Sequence, residues 1–338
     1  MGKPPIVDAH LDLAWNVSRG RDVTAPADEQ PNVDNETATV GLPDLEQGGV
    51  KLFCGTLFAL PGEDGYHDQI GAAWQAFAQL KTYYAWASSG LVRPVQTAAD
   101  LDGEGLGLIV LMEGADPINL DPPDGPAGLE SPAWWVERGV RMVGMAWGGT
   151  RFAGGTGAPG PLTDDGRRLV AELDRLGVIH DASHLAEQSL DDLLDSAGGP
   201  ICASHSNCQS LVVDDPRGRH LPDRHIAAIA ERGGVIGVNL LDSFLLPPAE
   251  LAGRRARLSD VVAHVRHICD IAGDDTHVGL GSDLDGGFGR ERVPEEIRTA
   301  ADLPRLGDAL SAGGFDDDAV SRILGGNWLR FFRKNLPK

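Results

Sequence analysis

The chain has 338 residues, 42% of them hydrophobic, and a formal net charge of -21. Its length suits one large domain or two small ones, and its acid excess argues against a nucleic-acid backbone or an anionic membrane as partner. The four cysteines, Cys54, Cys202, Cys208 and Cys269, show no zinc-finger spacing and are read as reduced; with no apolar leader and no run of about 18 apolar residues, a soluble cytoplasmic protein is expected.

In chain order, the first apolar run, Pro5 to Ala9, ends in His10-Leu11-Asp12. Residues i and i+2 of an extended strand share a face, so His10 and Asp12 aim an imidazole and a carboxylate at one spot, a pair that a divalent metal accepts. A Pro- and Asp-rich stretch from about Asn16 to Glu46 is long enough for a lid or insertion. Val50 to Ala59 reads as the second strand, Asp68 to Ser88 as a long Ala-rich helix, and Gly107 to Met112 as the third strand, ending at Glu113-Gly114. Pro132 to Arg138 reads as a short helix and Arg141 to Trp147 as the fourth strand.

The Gly-rich segment Gly148 to Pro161 holds no GxxxxGK[ST] and opens no phosphate-binding helix, so it is not a phosphate cradle. Thr163 caps a helix reaching about Leu176, with Asp164 and Asp165 in its first turn. Strands follow at Val178 to Ser183, Pro200 to Ser204, Gly234 to Leu240 and Val278 to Ser282, alternating with helices at Glu187 to Ser196, Pro222 to Arg232 and Leu258 to Ala272. Two or three helices occupy about 301–334.

Eight short apolar strands alternate with helices, and none shows strict polar alternation. That is the pattern of a parallel sheet buried on both faces, and eight such units favour a closed (β/α)8 TIM-like barrel. No repeat or composition break marks a second domain, so residues 1–338 are expected to form one. In such a barrel the chemistry lies at the C-terminal strand ends. There the chain places His10 and Asp12, Glu113, His184, His205 and Asp283, after strands one, three, five, six and eight. Each would be costly to bury without a partner. The set exceeds what one tetrahedral ion needs; two metals sharing a bridging carboxylate, about 3.5–4 Å apart, fit better. The other histidines are expected elsewhere. His67 and His180 should face solvent, and His264 and His267 should lie on a helix away from the strand ends. His277 should open the eighth strand at its opposite end, with His220 and His225 at the surface.

Several motifs carry a resemblance over nearly the whole length: VDAHLD (Val7–Asp12), MEGAD (Met112–Asp116), LGVIHDASH (Leu176–His184), ICASHSN (Ile201–Asn207), GLGSDLDG (Gly279–Gly286) and GGNWLRFF (Gly325–Phe332). On these the chain resembles the membrane (renal) dipeptidase family of zinc metallopeptidases. The resemblance implies a distorted (β/α)8 barrel of the metal-dependent hydrolase type with two zinc ions, other divalent metals also being compatible. It implies one zinc on His10, Asp12 and Glu113, and the other on Glu113, His184 and His205, with Glu113 bridging. Asp283 matches the family's catalytic acid/base. Arg219, before His220-Leu221-Pro222-Asp223, matches the arginine that holds a dipeptide's carboxylate, although the segment from His205 to Arg219 is longer here than in the mammalian enzymes. The family also implies a homodimer.

One position departs. Where the mammalian enzymes carry a histidine after the fourth strand, this chain has Trp147. Indole N–H donates but cannot titrate, so Trp147 either hydrogen-bonds a developing oxyanion or shapes the pocket for substrate. The leading expectation is hydrolysis of dipeptides, small-molecule substrates, by a metal-bridging water with Asp283 moving the proton. Two alternatives stand beside it: a hydrolase of another small amide, lactam or ester using the same residues, and a metal-binding protein without turnover. Asp283 argues against the latter, since a pure binder has no use for a proton shuttle.

Overall fold

The computed structural model describes residues 4–62, 68–121, 130–213 and 215–338. Its frame is eight parallel strands: β1 (Ile6–Leu11), β2 (Val50–Phe58), β3 (Gly107–Glu113), β4 (Val140–Gly144), β5 (Ile179–Asp181), β6 (Ile201–Cys202), β7 (Ile236–Val238) and β8 (Val278–Leu280). Hydrogen-bonded neighbours run from β6 through β5, β4, β3, β2, β1 and β8 to β7. A single parallel bridge, Ala203 to Ile236, joins the two ends, with Ala203 N–H donating to Val235 O over 3.0 Å and Gly237 N–H to Ala203 O over 2.8 Å. The sheet therefore curls into a nearly closed barrel, as the alternation of strands and helices predicts. A two-residue strand, Arg93–Pro94, pairs with β3 outside the ring.

Register explains why distant residues meet. Leu52 and Cys54 of β2 and Ile109 and Leu111 of β3 share one buried apolar cluster with Trp328, Phe331 and Phe332 of the last helix. At period two the same faces end in Thr56 and Glu113. The helix Asn327–Asn335 is tied to β8, because Asn327 Nδ2 donates to Val278 O over 2.8 Å and Trp328 Nε1 to Leu280 O over 3.0 Å. The GGNW motif thus seals the end of the barrel opposite the polar cluster. β6 and its neighbours approach very closely. A Cβ on Gly281 would lie 1.8 Å from Ser204 O, and one on Gly237 2.0 Å from the same atom. Only glycine fits at either position.

The helices carry the signals expected of them. Asp164–Leu176 opens with Thr163 accepting from Gly166 N–H and stops at Gly177, whose φ is 68°. Gln69–Ser88 opens with Asp68 accepting from Gly71 N–H. β5 to β8 are shorter than the apolar runs suggest, because the chain leaves ladder geometry before the polar residues. His184 and Asp283 sit in the left-handed region, at φ 67° and 57°, where non-glycine residues are uncommon and strained and cluster at functional sites. The Asn16 to Glu46 stretch is well packed, with Ala27, Ala38, Thr39 and Val40 buried. Among the described residues no helix is long and apolar enough to cross a membrane.

Candidate active site

The strand ends bring His10, Asp12, Glu113, His184, His205 and Asp283 together, and all six are buried. Three groups of three hold their ligand atoms within 4.8 Å of one another: His10, Asp12 and Glu113; Glu113, His184 and His205; and His10, His205 and Asp283. The first two share Glu113, whose two oxygens face opposite ways. Its Oε2 lies 3.4 Å from His10 Nε2 and its Oε1 3.2 Å from His184 Nε2 and 3.6 Å from His205 Nε2. The Nε2 atoms of His184 and His205 are 2.9 Å apart, and the rings of His10 and His205 stack at 3.5 Å between centroids.

The electrostatics of this cluster call for positive charge. Burial alone would lower the His10 imidazole, but Glu113, Asp12 and Asp283 overcome it and lift it to about 10. Burial and then Glu113 raise Asp12 to about 7, and burial raises Asp283 well above the usual carboxylate range. Glu113 goes the other way: His10 and His184 outweigh its burial and hold it well below that range. Burial, followed by Arg219, keeps His184 down at about 3, and burial keeps His205 low as well. His10 Nε2 is buried without a hydrogen-bond partner although three carboxylates surround it, Asp12 at 3.9 Å and Asp283 at 4.0 Å being the farther two. Nitrogen and carboxylate donors pointed at a common centre suit one or two divalent cations, so these residues fit the metal that the resemblance implies.

Neighbours hold the cluster in place. Thr56 Oγ1 donates to Asp12 Oδ1. Thr156 Oγ1 lies 3.0 Å from His184 Nδ1, and Asn239 Nδ2 donates to Asp283 Oδ2 over 2.8 Å. None of the three was singled out from sequence. Asn239 closes the apolar run of β7, so the strand-end rule that found the others could have found it. Thr156 lies in the Gly-rich segment and Thr56 within a strand, where a hydroxyl carries no distinguishing signal.

The cluster floors a cavity of about 360 Å³, a size suited to a small ligand. Trp15, Phe58, Trp147, Phe244 and Phe288 wall it, and Arg217 and Arg292 line it as well. Trp147 is 38% exposed, with its ring 5.6 Å from Phe58 and 5.8 Å from His184. Arg219 lies lower. It is buried, donating from one terminal nitrogen to Ser206 Oγ over 3.0 Å and from the other to His205 O, while its Nε has no partner.

Several histidine expectations need correction. His180 does not face solvent: it is buried, with Nε2 2.8 Å from Asp174 Oδ1. His220 and His225 are buried too, the latter with Nε2 2.7 Å from Asp191 Oδ1. In each case the chain supplies a carboxylate, since Asp215 Oδ2 stands 3.9 Å from His220. His264 lies on its helix, Nδ1 accepting from Cys208 N–H at 3.1 Å and Nε2 lying 3.2 Å from Leu245 O. His267 contacts Asp223 and Ser210, and His277 lies at the start of β8. The expectation for His67 falls outside the described residues.

Comparison with known proteins bears on this arrangement. Residues 1–336 match the family model described as membrane dipeptidase (Peptidase family M19). An uncharacterized protein from the pqqA 5' region of Klebsiella pneumoniae is 35% identical over 282 residues, 79% of this chain and 97% of that protein. Dipeptidase tcpJ of Claviceps purpurea is 31% identical over 51% of this chain and 38% of its own length. Among solved structures, a metallo peptidase from Rhodobacter sphaeroides, liganded with a phosphinate mimic of the dipeptide L-Ala-D-Ala, is 27% identical with a TM-score of 0.82, covering 99% of this chain and all of that one. A metallo peptidase titled dipeptidase AC matches over the whole of both chains at 28% identity and the same TM-score. The chain belongs to the membrane dipeptidase family, Peptidase family M19.

Proposed function

We propose that this protein hydrolyses dipeptides at a pair of divalent cations, zinc being the expected metal. The observation that carries this is the sharing of Glu113 between two three-donor groups at the floor of one small cavity. His10, Asp12 and Glu113 would hold one ion, and Glu113, His184 and His205 the other. Such a pair supplies polarisation of the scissile carbonyl and a bound water of lowered pKa.

The chain's own residues then orient the substrate and move the proton. Asp283 faces the cluster through Oδ1 while Asn239 holds Oδ2. Burial keeps its carboxyl basic for a carboxylate, as a group that takes a proton from water and returns it to a leaving amine requires. Arg219, matched by the resemblance, would supply a buried positive charge toward the substrate's carboxylate, while Arg217 lines the cavity itself. Trp147, Phe58 and Trp15 line the side-chain wall. Carboxylates together with Arg217 and Arg292 in the lining of so small a cavity favour a short zwitterion over a long peptide.

The test is zinc-loaded protein against a panel of L-L and L-D dipeptides, the L-D arm being prompted by the ligand of the Rhodobacter sphaeroides protein. Release of free amino acids, with roughly two zinc per chain, is expected. Failure to cleave any member of the panel would remove the assignment.

A further inference from the structure

One hydroxyl touches a histidine from each of the two donor groups. Ser204 Oγ lies 3.1 Å from His10 Nδ1 and 2.8 Å from His205 Nδ1. It also donates to Asp181 Oδ2 over 2.5 Å. Ser183 Oγ, at 3.3 Å, is its most distant polar neighbour. All of these side chains are buried. Asp181 is itself fixed, its Oδ1 accepting from Ser183 N–H over 3.0 Å and from Ser204 N–H over 2.8 Å.

A serine hydroxyl has one hydrogen and two lone pairs. Here the hydrogen is spent on the Asp181 carboxylate, which can only accept. Both lone pairs are then left, and the only way to satisfy His10 Nδ1 and His205 Nδ1 against them is for each ring to carry its proton on Nδ1 and donate. In the neutral ring that a metal needs, each Nε2 is then the unprotonated nitrogen, and it faces Glu113, 3.4 Å and 3.6 Å away. We infer that Ser204, anchored by Asp181, is a shared positioning residue that sets the tautomer and ring orientation of His10 and His205 together, and so couples the assembly of the two metal sites. This rests on the reading that the cluster holds two metals. Partners that hold the second nitrogen of a ligating histidine commonly govern metal affinity by about 10–100-fold.

The barrel provides a matched control. Asp8 and Ser282 repeat the motif on the other side, with Ser282 N–H donating to Asp8 Oδ1 over 2.8 Å and Ser282 Oγ–H to Oδ2. Both are buried, but among the described residues no imidazole nitrogen contacts Ser282 Oγ. Ser204→Ala removes the shared acceptor. Asp181→Asn keeps the shape but reverses the proton order: its amide can donate to Ser204 Oγ, so the hydroxyl hydrogen must turn to one of the histidines and drive that ring's proton onto Nε2, where the metal would sit.

The experiment titrates zinc and cobalt(II) into the metal-depleted full-length chain and its variants, following stoichiometry, affinity and the cobalt absorption bands. A second measurement reads histidine ¹⁵N shifts in the zinc-loaded wild type. Expected are a 10–100-fold loss of affinity at both sites together in Ser204→Ala and Asp181→Asn, altered cobalt bands, wild-type binding in Ser282→Ala, and Nδ1–H with metal-bound Nε2 for His10 and His205. Wild-type affinity at both sites in the two variants, loss confined to one site, an equal loss in Ser282→Ala, or an Nε2–H signal from either histidine in the loaded wild type would each overturn the inference while leaving the metal reading intact. A wild-type chain that takes up no divalent cation would remove both. The ¹⁵N measurement stands even if a variant fails to fold.

Discussion

Asn239 Nδ2 donates to Asp283 Oδ2 over 2.8 Å, and this leaves Asp283 Oδ1 as the oxygen turned to the donor cluster, 4.0 Å from His10 Nε2. Asp283 also sits at φ 57°, so its position is enforced by backbone and side chain alike. If it moves the proton, Asp283→Asn should lower kcat by about 10²–10⁴-fold while both metals stay bound, because the two donor groups that share Glu113 do not include it. Steady-state kinetics with parallel metal analysis reads both quantities. A variant within a few-fold of wild-type kcat would end the proton-transfer role.

Under the proposed function, Arg219 and Arg217 are alternative partners for a substrate carboxylate. Arg219 is buried with two nitrogens spent on Ser206 and His205 O, whereas Arg217 lines the cavity directly. Under the proposed function, Arg219→Ala should raise KM for a dipeptide by roughly 10-fold or more, the value of a hydrogen bond to a charged group, and should leave its C-terminal amide little changed. The acid-to-amide KM ratio in both variants is the measurement. If that ratio survives in Arg219→Ala and collapses in Arg217→Ala, the carboxylate is held by Arg217.

Trp147 stands at the rim with its ring against Phe58, which in turn meets Trp15 edge-on at 5.5 Å. A continuous aromatic wall of this kind binds apolar side chains. Trp147→Ala should therefore raise KM for dipeptides with aromatic side chains by up to about 10-fold, from the 0.5–1.5 kcal/mol of an aromatic pair, and do less for glycine-containing ones. A kcat loss of about 10²-fold at unchanged KM would instead make the indole N–H a donor to the reacting oxygen.

The strand ends were legible in the sequence because a polar residue closing an apolar run is conspicuous, and a barrel brings such ends to one rim. That reasoning brings His10, Asp12, Glu113, His184, His205 and Asp283 to one rim. It could not see partners supplied from elsewhere in the chain. His180 and His225 looked solvent-facing because Asp174 and Asp191, which satisfy them on burial, leave no local mark. The Asn16 to Glu46 stretch read as a lid or insertion, and its anchors likewise lie elsewhere in the chain. Buried Arg21 lies 2.8 Å from Asp285 Oδ2, and Asp285 also accepts from Thr39 N–H and Val40 N–H. The stretch is thus packed against the exit of β8.

His264 gives a pH dependence independent of the cluster. Burial pushes its imidazole from 6.5 down to about 4, consistent with Nδ1 accepting from Cys208 N–H. Because the folded value is depressed, the unfolded chain binds the proton more readily between those limits. The contribution is therefore fully present above pH 6.5 and lost as pH falls toward 4, amounting to roughly 3 kcal/mol at about 1.4 kcal/mol per unit. His220, which burial pushes down to about 3, adds in the same direction. His264→Gln keeps a buried amide but cannot titrate, so it should lose less stability than the wild type between pH 7 and pH 4.5. Urea unfolding at both values, with a chelator present throughout so that metal loading does not vary, measures that difference. Equal losses in the two proteins would show that the protonation of His264 does not contribute to acid unfolding.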